Sequence, residues 1–489
     1  MSPSSTKKPH LVVIGSGSGG LTAAIGLSRL GRRVVLVEAG DVGGDCTNLG
    51  CIPSKTLLDR SARFAATGRN APGDAAAVLA EVRAARDAFR DHETVEVAEL
   101  PGIDLVRGKG RLVDGGVEIT GPDGTRRVEC RRVVLATGSH PRRLDIAGLP
   151  DDRRLTNAEV FDLEAVPPRL AIVGGGAVGV EFATAFARLG TAVTLIEAGE
   201  QLLPGLLSEA AGLVAAELGD LGVDVRLGAR AASWHDGMLA LTGPDGRATA
   251  GAEVGADRVL LGVGRIPATA DLGLAEVGVE VDEAGHIVVD ERGRTTATGV
   301  WACGDATVEG RHHGTTHAAN ALGRRIVADI VSSGRLPGGW LHGGGRPLHP
   351  SATFGHPETA RIGHQPPEPG PDVVRHRVDL AATDRGITDQ VGAGVLIVDV
   401  RRLSGRIVGA TIVGPRAAEL VSIFALALRN DLPLHRFYGV VWPYPSHADA
   451  IGRVVDLHVA ATAADPGGNA RAWLAGRWRA LRCRHVHHP

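Results

Sequence analysis

Two stretches of the chain repeat the same order of apolar, glycine-rich and amphipathic segments. The first, HLVVIGSGSGGLTAAIGLSRLGRRVVLVEAG, covers residues 10–40, and the second, RLAIVGGGAVGVEFATAFARLGTAVTLIEAG, covers residues 169–199. In each, an apolar run leads into a glycine turn, an amphipathic segment closed by a glycine, and a second apolar run that ends in an acid. The pattern predicts a buried strand, a helix and a second buried strand, twice along the chain.

Both turns have the glycine spacing of a dinucleotide-binding βαβ unit. The glycines and closing acids are Gly15, Gly17, Gly20 and Glu38 in the first copy and Gly174, Gly176, Gly179 and Glu197 in the second. Such a turn needs positive φ and a backbone that approaches a pyrophosphate closely, and the acid binds ribose hydroxyls. One copy alone is often only a tight strand-to-helix turn. Two complete copies, about 160 residues apart, predict two bound dinucleotides.

The second acid also bears on the choice of nicotinamide cofactor. A carboxylate at Glu197 suits a ribose 2′-hydroxyl and repels a 2′-phosphate, and the residues around it, EAGEQ, contain no arginine. The second site is therefore predicted to prefer NADH over NADPH.

The pattern changes from about residue 340. Apolar runs at 394–400 and 405–414 predict strands of an antiparallel sheet, and residues 417–432 have the spacing of a helix. Prolines accumulate between 347 and 371, and we interpret that stretch as a connector leading into a third, α+β domain.

Composition narrows the class of protein. A length of 489 residues predicts two to four domains, and 44% apolar with 22% charged residues is typical of a soluble globular protein. A net charge of −2 gives no reason to expect a nucleic-acid partner. The sequence shows no apolar run of membrane-spanning length, so no stable membrane association is expected. Five scattered cysteines and no signal-peptide pattern predict a cytoplasmic, reducing location.

The segment GGDCTNLGCIPSK, residues 43–55, contains Cys46 and Cys51 directly after the first βαβ unit. A disulfide that closes so short a loop is often strained and easily reduced, which suits a catalytic dithiol beside the first dinucleotide. Two alternatives are half of a zinc site, which would need two more ligands, and two incidental buried thiols. Cys130 and Cys303 are predicted to be small buried residues.

These segments together resemble the class I pyridine nucleotide–disulfide oxidoreductases, the group of dihydrolipoamide dehydrogenase, glutathione reductase and mercuric reductase. The resemblance covers about residues 9–460 and includes, beside the two fingerprints and the cysteine segment, four further motifs in order. These are VVLATGSHP (133–141), LLGVGRIP (260–267), GVWACGDAT (299–307) and ATFGHPETARIG (352–363). The resemblance implies an α/β fold with two Rossmann-like dinucleotide-binding domains, for FAD and NAD, and a C-terminal α+β dimerisation domain.

The resemblance also implies a division of the chain. The FAD domain would comprise 1–150 and 270–340, the NAD(P) domain 151–269 and the interface domain 341–460, followed by a basic tail at 461–489. Two subunits would pair as a homodimer with an active site shared between them.

Cofactor contacts follow from the same resemblance. Glu38 would bind the adenosine ribose, Gly110 the adenine and Asp305 the flavin ribityl chain, while Thr316 and His317 would approach the isoalloxazine. The further residues expected at the two cofactors are Gly44, Lys55, Ala136, Thr137, Gly138, Ser139 and Gly264. No resident metal is expected.

The implied reaction passes electrons from NADH through FAD to the sulfur pair. Cys51 would face the flavin and Cys46 would exchange with the substrate, while Lys55, paired with Glu181, and a helix N-terminus would favour the Cys51 thiolate. The expected acceptor is a small-molecule disulfide or a thiol-bound soft metal ion. Alternatives are an NADH:quinone or diaphorase-type reductase, in which flavin alone passes on the electrons, and a cofactor-loaded partner in a multienzyme assembly.

One segment departs from the family pattern. Disulfide reductases of this family carry a histidine base and its glutamate in HPTxSE, but here VWPYPSHADAIGR (441–453) puts Tyr444 in the histidine slot, Ser446 in the threonine slot and Asp449 in the glutamate slot. Tyrosine, with an ordinary pKa of about 10, is a poor base at neutral pH. His447, two residues beyond Pro445, is the alternative base. WPY resembles the FPY of mercuric reductases, and a soft metal ion needs no proton shuttle.

Asp45, where threonine is commoner, and DRGITD (384–389) also fit relatives grouped with mercuric reductase. Those enzymes end in a vicinal cysteine pair, whereas this chain has a single Cys483 close to His485, His487 and His488. The cluster either binds a soft or borderline metal or has no role. The basic residues after Pro466 predict a surface helix or a segment packed on a neighbour, with membrane contact less favoured.

Overall fold

The structure is a computed structural model of the chain, and it describes residues 11–67, 72–333 and 348–464. These residues form two compact units, and each unit joins two separate stretches of sequence. The first takes its residues from 1–168 and 258–347, and the second from 169–257 and 348–489.

A five-stranded parallel sheet forms the centre of the first unit. Its strands, in spatial order, are β18 (Val300–Ala302), β7 (Val133–Leu135), β1 (Leu11–Ile14), β2 (Val34–Glu38) and β3 (Ile103–Arg107). β1 is apolar at every position because both faces of the sheet are covered: Leu11 and Val13 belong to one core cluster and Val12 and Ile14 to another. The strands predicted for the first repeat are thus confirmed as the centre of a parallel sheet.

The remaining strands of the first unit pair outside this sheet. They are the antiparallel set β4 (Lys109–Val113), β5 (Gly116–Gly121) and β6 (Gly124–Glu129), the antiparallel pair β8 (Ser139–Pro141) and β17 (Arg265–Pro267), and the parallel pair β9 (Arg154–Leu155) and β16 (Arg258–Leu261).

The α-helices described in the first unit are α1 (Ser18–Arg29), α2 (Gly44–Asn48), α3 (Cys51–Ala66), α4 (Pro72–Glu99), α7 (Val308–His313) and α8 (Thr316–Ser332). α1 and α8 approach closely because glycines lie where they meet. A Cβ on Gly323 would lie 2.8 Å from the Gly19 carbonyl oxygen. Thr22 Oγ1 also donates to Asn320 Oδ1 at 3.0 Å across the same contact.

The first part of the second unit contains the second repeat. Its parallel strands are β10 (Arg169–Val173), β11 (Ala192–Glu197) and β12 (Asp224–Leu227), its helices are α5 (Ala177–Arg188) and α6 (Ser208–Asp220), and an antiparallel set follows, β13 (Arg230–His235), β14 (Met238–Thr242) and β15 (Ala248–Gly255). β10 pairs with β11 as β1 pairs with β2, so the predicted repetition of the βαβ unit is confirmed.

The C-terminal part of the second unit is an antiparallel sheet covered by helices. The strand order is β19 (Ser351–Thr353), β20 (Thr359–Gly363), β23 (Ile407–Val413), β22 (Val395–Arg401) and β21 (Val373–Asp379), and the helices are α9 (Asp384–Thr388), α10 (Ala417–Arg429) and α11 (Asp449–Ala463). The strands predicted at 394–400 and 405–414 are β22 and β23, and the helix predicted at 417–432 is α10.

The interpretation of residues 347–371 as a connector is wrong, because β19 and β20 lie within it. Pro357 occupies the turn between the two strands, where a missing N–H interrupts no ladder hydrogen bond. From Ala360 to Gly363 the short strand alternates between buried and exposed positions, but four residues are too few to predict a strand among the surrounding prolines.

A buried histidine pair lies inside this C-terminal core. His376 in β21 and His458 in α11 face each other, with 3.1 Å between His376 Nε2 and His458 Nδ1. Burial first, and then the positive charges of His376 and His435, lower the pKa of His458 to about 4. Burial also lowers the pKa of His376, and the carboxylate of Asp399 opposes that shift.

Among the described helices, none combines the length and apolar character needed to cross a membrane.

Candidate active site

The cysteine pair lies where two helices of the first unit follow one another. Cys46 is in α2 and Cys51 is the first residue of α3. Both are half-buried cysteines in the thiol form. The turn into α2 is made by Gly43 and Gly44, whose φ values of 93° and 58° favour glycine. The structure therefore contains the dithiol form of the predicted redox pair.

Three helices begin at this pair. Cys51 opens α3, and its Sγ lies 3.3 Å from Oγ1 of Thr316, which opens α8. The hydroxyls of Thr316 and of Ser18, which opens α1, act to lower the pKa of the Cys46 thiol. Helix N-termini carry partial positive charge and unpaired N–H groups, so the site stabilises negative charge on sulfur or on a bound anionic group.

The pKa of the Cys46 thiol lies above the ordinary value of a cysteine. The hydrogen bond with Cys51 is the largest cause that raises the pKa of Cys46, followed by burial and by the negative charge of Cys51. The hydroxyls of Thr316 and Ser18 act in the opposite direction. The Cys46 thiol therefore holds its proton more firmly than an exposed cysteine does.

The other two described cysteines are isolated from this pair. Cys303 is fully buried behind α1, and burial raises its pKa to about 12. Cys130 is half-buried rather than buried as predicted, because it follows β6 at the end of a small antiparallel sheet. Burial raises its pKa to about 11. Both therefore remain protonated near neutral pH.

A chain of polar contacts joins α2 to Asp305, the residue expected at the flavin ribityl chain. Arg265 pairs with Asp45, which precedes Cys46, and its Nε donates to Ser139 Oγ at 2.6 Å. Ser139 Oγ donates to Asp305 Oδ2 at 2.7 Å, and Arg265 Nε lies 3.5 Å from the same oxygen. Arg265 thus fixes the cysteine helix relative to Asp305. The motif that contains it, LLGVGRIP, is visible in the sequence, but no role for Arg265 follows from the motif alone.

The first glycine turn has the shape that a pyrophosphate requires. Gly15 has a φ of 99°, and a Cβ there would lie 2.3 Å from the Ala136 carbonyl oxygen. A Cβ on Gly20 would lie 2.0 Å from the Gly15 oxygen, whereas one on Gly17 would meet only Gly44 Cα, at 4.0 Å. The turn is therefore closed against the helix and open on the side of Gly17.

Polar groups around that opening fit a bound FAD. Thr137 Oγ1 is buried and has no hydrogen-bond partner among the described residues. Glu38 Oε2 accepts from Ser16 N and Ser16 Oγ, both at 2.7 Å, and its Oε1 accepts from Gly40 N at 2.7 Å. The carboxylate is thereby held at the end of β2, where a ribose would lie.

The other residues predicted for the flavin also belong to the first unit. Gly110 lies in β4 against Ile14, and His317 Nε2 lies 3.1 Å from Thr315 Oγ1 at the start of α8. Gly138 and Gly264 have φ values of 71° and 101°, and a Cβ on either would meet nothing within 4 Å. Lys55 is half-buried one turn after Cys51 in α3.

The second glycine turn has the same construction. Gly174 has a φ of 112°, and a Cβ on Gly179 would lie 1.9 Å from its oxygen, while one on Gly176 would meet nothing within 4 Å. Glu197 Oε2 accepts from Gly175 N at 2.6 Å, and its Oε1 accepts from Gly199 N at 2.7 Å. The carboxylate after β11 is thus fixed as Glu38 is fixed after β2.

Glu181 lies in α5, directly behind the second glycine turn. It is 7% exposed, and its Oε1 accepts from Phe354 N at 3.0 Å. Its pairing with Lys55 stays a prediction.

The candidate bases of segment 441–453, Tyr444 and His447, differ in their exposure to solvent. Tyr444 is 72% exposed, whereas His447 is 8% exposed, with its Nε2 2.9 Å from Asp389 Oδ2. Asp449, in the glutamate slot, opens α11 and lies 3.7 Å from Arg453 Nε. Of the two candidate bases, Tyr444 is therefore at the surface and His447 is buried.

Comparison with known families identifies the family to which the chain belongs. The family described as pyridine nucleotide-disulphide oxidoreductase matches residues 9–323, and the dimerisation domain of the same family matches residues 349–455. The chain belongs to this family. The resemblance drawn from the motifs is thereby confirmed, together with the α/β fold and the C-terminal dimerisation domain.

Individual relatives of this oxidoreductase cover nearly its whole length. A dihydrolipoyl dehydrogenase of Haloferax volcanii is 32% identical over 90% of the chain and 94% of its own length. A mercuric reductase of Acidithiobacillus ferrooxidans is 30% identical over 89% of the chain and 80% of its own length. The Cu(II) complex of the HOCl-induced flavoprotein disulfide reductase RclA from Escherichia coli matches with a TM-score of 0.81 and 27% identity, over 92% of this chain and 99% of that one.

The oxidoreductase is accordingly an FAD-dependent, pyridine nucleotide-dependent enzyme with a redox-active cysteine pair. Within the described ranges, no group of three or more His, Cys, Asp or Glu side chains is arranged to hold a metal ion. The predicted cluster of Cys483, His485, His487 and His488 lies outside the described residues.

Proposed function

We propose that this oxidoreductase uses NADH to reduce, at Cys46 and Cys51, a small disulfide or a thiol-bound soft metal ion. The observation that supports this most directly is the half-buried thiol pair at the start of three helices, with Cys51 against Thr316. FAD, when bound, supplies the two-electron chemistry between the nicotinamide and the sulfur pair. Cys51, beside the residue expected at the isoalloxazine, is the flavin-facing thiol, and Cys46 exchanges with the acceptor.

The residues that would hold FAD all lie in the first unit. Gly15, Gly17 and Gly20 form the pyrophosphate turn, Glu38 takes the adenosine ribose, and Asp305 takes the ribityl chain. The further contacts come from Gly44, Lys55, Gly110, Ala136, Thr137, Gly138, Ser139, Gly264, Thr316 and His317. Arg265 joins this set because it orients both Asp305 and the helix of Cys46. The proposed FAD domain comprises 1–150 and 270–340 and the proposed NAD(P) domain 151–269, so that Gly264 and Arg265 would reach the flavin from the end of the NAD(P) segment.

The preference for NADH depends on Glu197. Its carboxylate is fixed by two backbone N–H groups at the end of β11, so it is positioned to accept from a 2′-hydroxyl and to repel a 2′-phosphate. Gly174, Gly176 and Gly179 would hold the pyrophosphate of the nicotinamide cofactor.

The functional unit is a homodimer formed through residues 341–460. The match to the family's dimerisation domain supports this pairing. In the dimer each active site would be completed by the second copy, which contributes the exposed Tyr444 and, behind it, Asp449.

The chemistry at sulfur is an exchange with two steps. For a disulfide acceptor, Cys46 loses its proton as its sulfur attacks one sulfur of the acceptor, the acceptor S–S bond breaks, and the first product leaves as a thiolate. The Cys51 thiolate then attacks Cys46, which closes the Cys46–Cys51 disulfide and releases the second product thiolate. A soft metal ion would instead bind the two thiolates directly, without any proton transfer from a base.

An acceptor panel tests this function. NADH titration of the yellow holoenzyme should produce a long-wavelength thiolate-to-flavin absorbance band, and turnover should be measured with lipoamide, Hg(II) and a quinone. Cys46→Ser should abolish the first two activities and spare the third, because only quinone reduction bypasses the pair. Cys130→Ser is the matched control and should change none of them. Full lipoamide and Hg(II) turnover in Cys46→Ser, or a protein that binds no flavin, would show that the proposal is wrong.

A further inference from the structure

The short helix that carries Cys46 is held in place by other elements. Thr47 Oγ1 donates to Glu93 Oε2 of α4 at 2.9 Å, and Asn157 Nδ2 donates to the carbonyl oxygen of Leu49, directly after α2, at 3.0 Å. α2 has only five residues, so it has too few internal hydrogen bonds to be stable on its own. Its position, and with it the position of Cys46, therefore depends on contacts of this kind.

Asp45 makes the corresponding contact on the N-terminal side of Cys46. Its carboxylate pairs with Arg265 of β17. The guanidinium is itself fixed, because its Nη2 donates to the Ser139 carbonyl oxygen at 2.9 Å and its Nε donates to Ser139 Oγ at 2.6 Å. The Arg265 side chain is 31% exposed, so the ion pair is partly shielded from water and is screened less by salt than a surface pair.

The chain between the two cysteines is folded tightly onto Asp45. The Asp45 carbonyl oxygen accepts from Leu49 N at 2.9 Å. A Cβ on Gly50, the residue before Cys51, would lie 2.8 Å from that oxygen and 3.5 Å from Cys46 Cα. A movement of Asp45 therefore changes the separation of the two cysteines. A disulfide forms only within a narrow range of Cα–Cα and Cβ–Cβ distances, so this separation decides how readily the disulfide closes.

We propose that Asp45 is a positioning residue whose ion pair with Arg265 holds Cys46 and Cys51 at the separation that closing their disulfide requires. This inference rests on the proposed function. In the closing step the Cys51 thiolate attacks Cys46 Sγ of the mixed disulfide, the bond from Cys46 to the acceptor sulfur breaks, and that sulfur leaves as a thiolate that takes a proton from water. The cysteine pair is oxidised, and the acceptor is reduced by two electrons in total. A quinone that takes its electrons from the flavin bypasses this step.

The equilibrium of the cysteine pair with glutathione measures this positioning. The holoenzyme is equilibrated with mixtures of reduced and oxidised glutathione, and the fraction of Cys46–Cys51 disulfide is measured by alkylation and mass spectrometry. Asp45→Asn should lower the equilibrium constant for disulfide formation by about tenfold, the equivalent of a reduction potential about 30 mV higher. Asp41→Asn is the matched control, at a carboxylate 3.9 Å from Arg90, and should leave the constant unchanged.

Arg265→Gln distinguishes positioning from a simple effect of charge. Loss of the Asp45 charge and loss of the Arg265 charge act in opposite directions on a nearby thiolate, whereas loss of the ion pair weakens the disulfide in both variants. Arg265→Gln should therefore shift the equilibrium in the same direction as Asp45→Asn. A constant equal to that of the wild type in Asp45→Asn, or shifts of opposite sign in the two variants, would overturn the positioning role.

Turnover with two acceptors separates this inference from the proposed function. Asp45→Asn should lose about tenfold of its turnover with a small disulfide and keep its quinone turnover, because only the first uses the closing step. A quinone turnover that falls in parallel, or a disulfide turnover equal to that of the wild type, would overturn the inference. Absence of the thiolate-to-flavin band in the wild type would instead refute the proposed function, so the two failures are distinguishable.

Discussion

Acidification should destabilise the second unit through the buried His376–His458 pair. His458 is 5% exposed and contacts His376 at 3.1 Å, and its pKa is lowered to about 4. In the unfolded chain the same side chain has a pKa of about 6.5. The unfolded state therefore binds a proton first, and the stability from the neutral pair is complete above about pH 6.5 and is lost as the pH falls towards 4.

The size of the effect follows from the difference between those two values. Each pKa unit corresponds to about 1.4 kcal/mol, so His458 alone contributes about 3 kcal/mol over the full window, lost at up to about 1.4 kcal/mol per pH unit. Water at the edge of the pair makes the protonated histidine less unfavourable. We therefore expect the free energy of unfolding to fall by about 2–3 kcal/mol between pH 6.5 and pH 4. Such a loss is a large fraction of the stability of a typical domain.

This loss of unfolding free energy is measured by denaturant unfolding of the wild type and of His458→Asn at several pH values. Carboxylates that titrate in the same window affect both proteins, so the difference between the two unfolding free energies isolates the histidine. Asn retains a polar atom near the position of Nδ1 and does not titrate. The wild-type minus variant difference in unfolding free energy should therefore shrink by about 2–3 kcal/mol between pH 6.5 and pH 4. His364→Asn, at an exposed histidine of the same unit, is the control and should show no such trend. A wild-type minus variant difference that is independent of pH would refute the reasoning.

Three further outcomes are expected in the same enzyme. Cys51→Ser should retain the yellow colour of bound flavin and lose the long-wavelength absorbance band on NADH titration, because the sulfur beside Thr316 is removed. A retained band would show that Cys46, and not Cys51, contacts the flavin. Asp329→Asn should lower the free energy of unfolding, measured by thermal denaturation, by about 3–5 kcal/mol, because the Asp329 carboxylate is 1% exposed and accepts from Arg294, Arg292 and Trp301. The control Asp104→Asn, at an exposed carboxylate, should lower it by under about 1 kcal/mol, and similar losses in the two variants would contradict this prediction. Glu197→Gln should narrow the ratio of NADH to NADPH turnover by about tenfold, the equivalent of roughly 1.4 kcal/mol, and an unchanged ratio would remove Glu197 from cofactor selection.

The parts of the fold that the sequence predicted are those encoded within a short window. Each βαβ unit spans about thirty residues, and its apolar runs, glycines and closing acid are all read locally. The same holds for β22, β23 and α10. By contrast, β19 and β20 are short strands separated by a proline, so neither length nor alternation distinguished them from a connector.

The residues that sequence analysis missed act through contacts distant in sequence. Arg265 meets Asp45 across 220 positions, and no period or motif links the two. The state of His447 was undecided from the sequence because it depends on Asp389, 58 positions away. Local pattern therefore predicted the cofactor cradles, and only tertiary structure identified the contacts of Arg265 and His447.

The contact between Thr22 and Asn320 spans 298 positions, and this has a consequence for biosynthesis. A ribosome that elongates at roughly 5–20 residues per second needs about 15–60 s to reach α8 after α1 has emerged. Until then the face of α1 that packs on α8 has no native cover, and the second βαβ repeat is translated in the interval. Loading of flavin is therefore a late event, after translation has passed the end of α8, and a nascent chain arrested earlier exposes a surface that chaperones would have to shield.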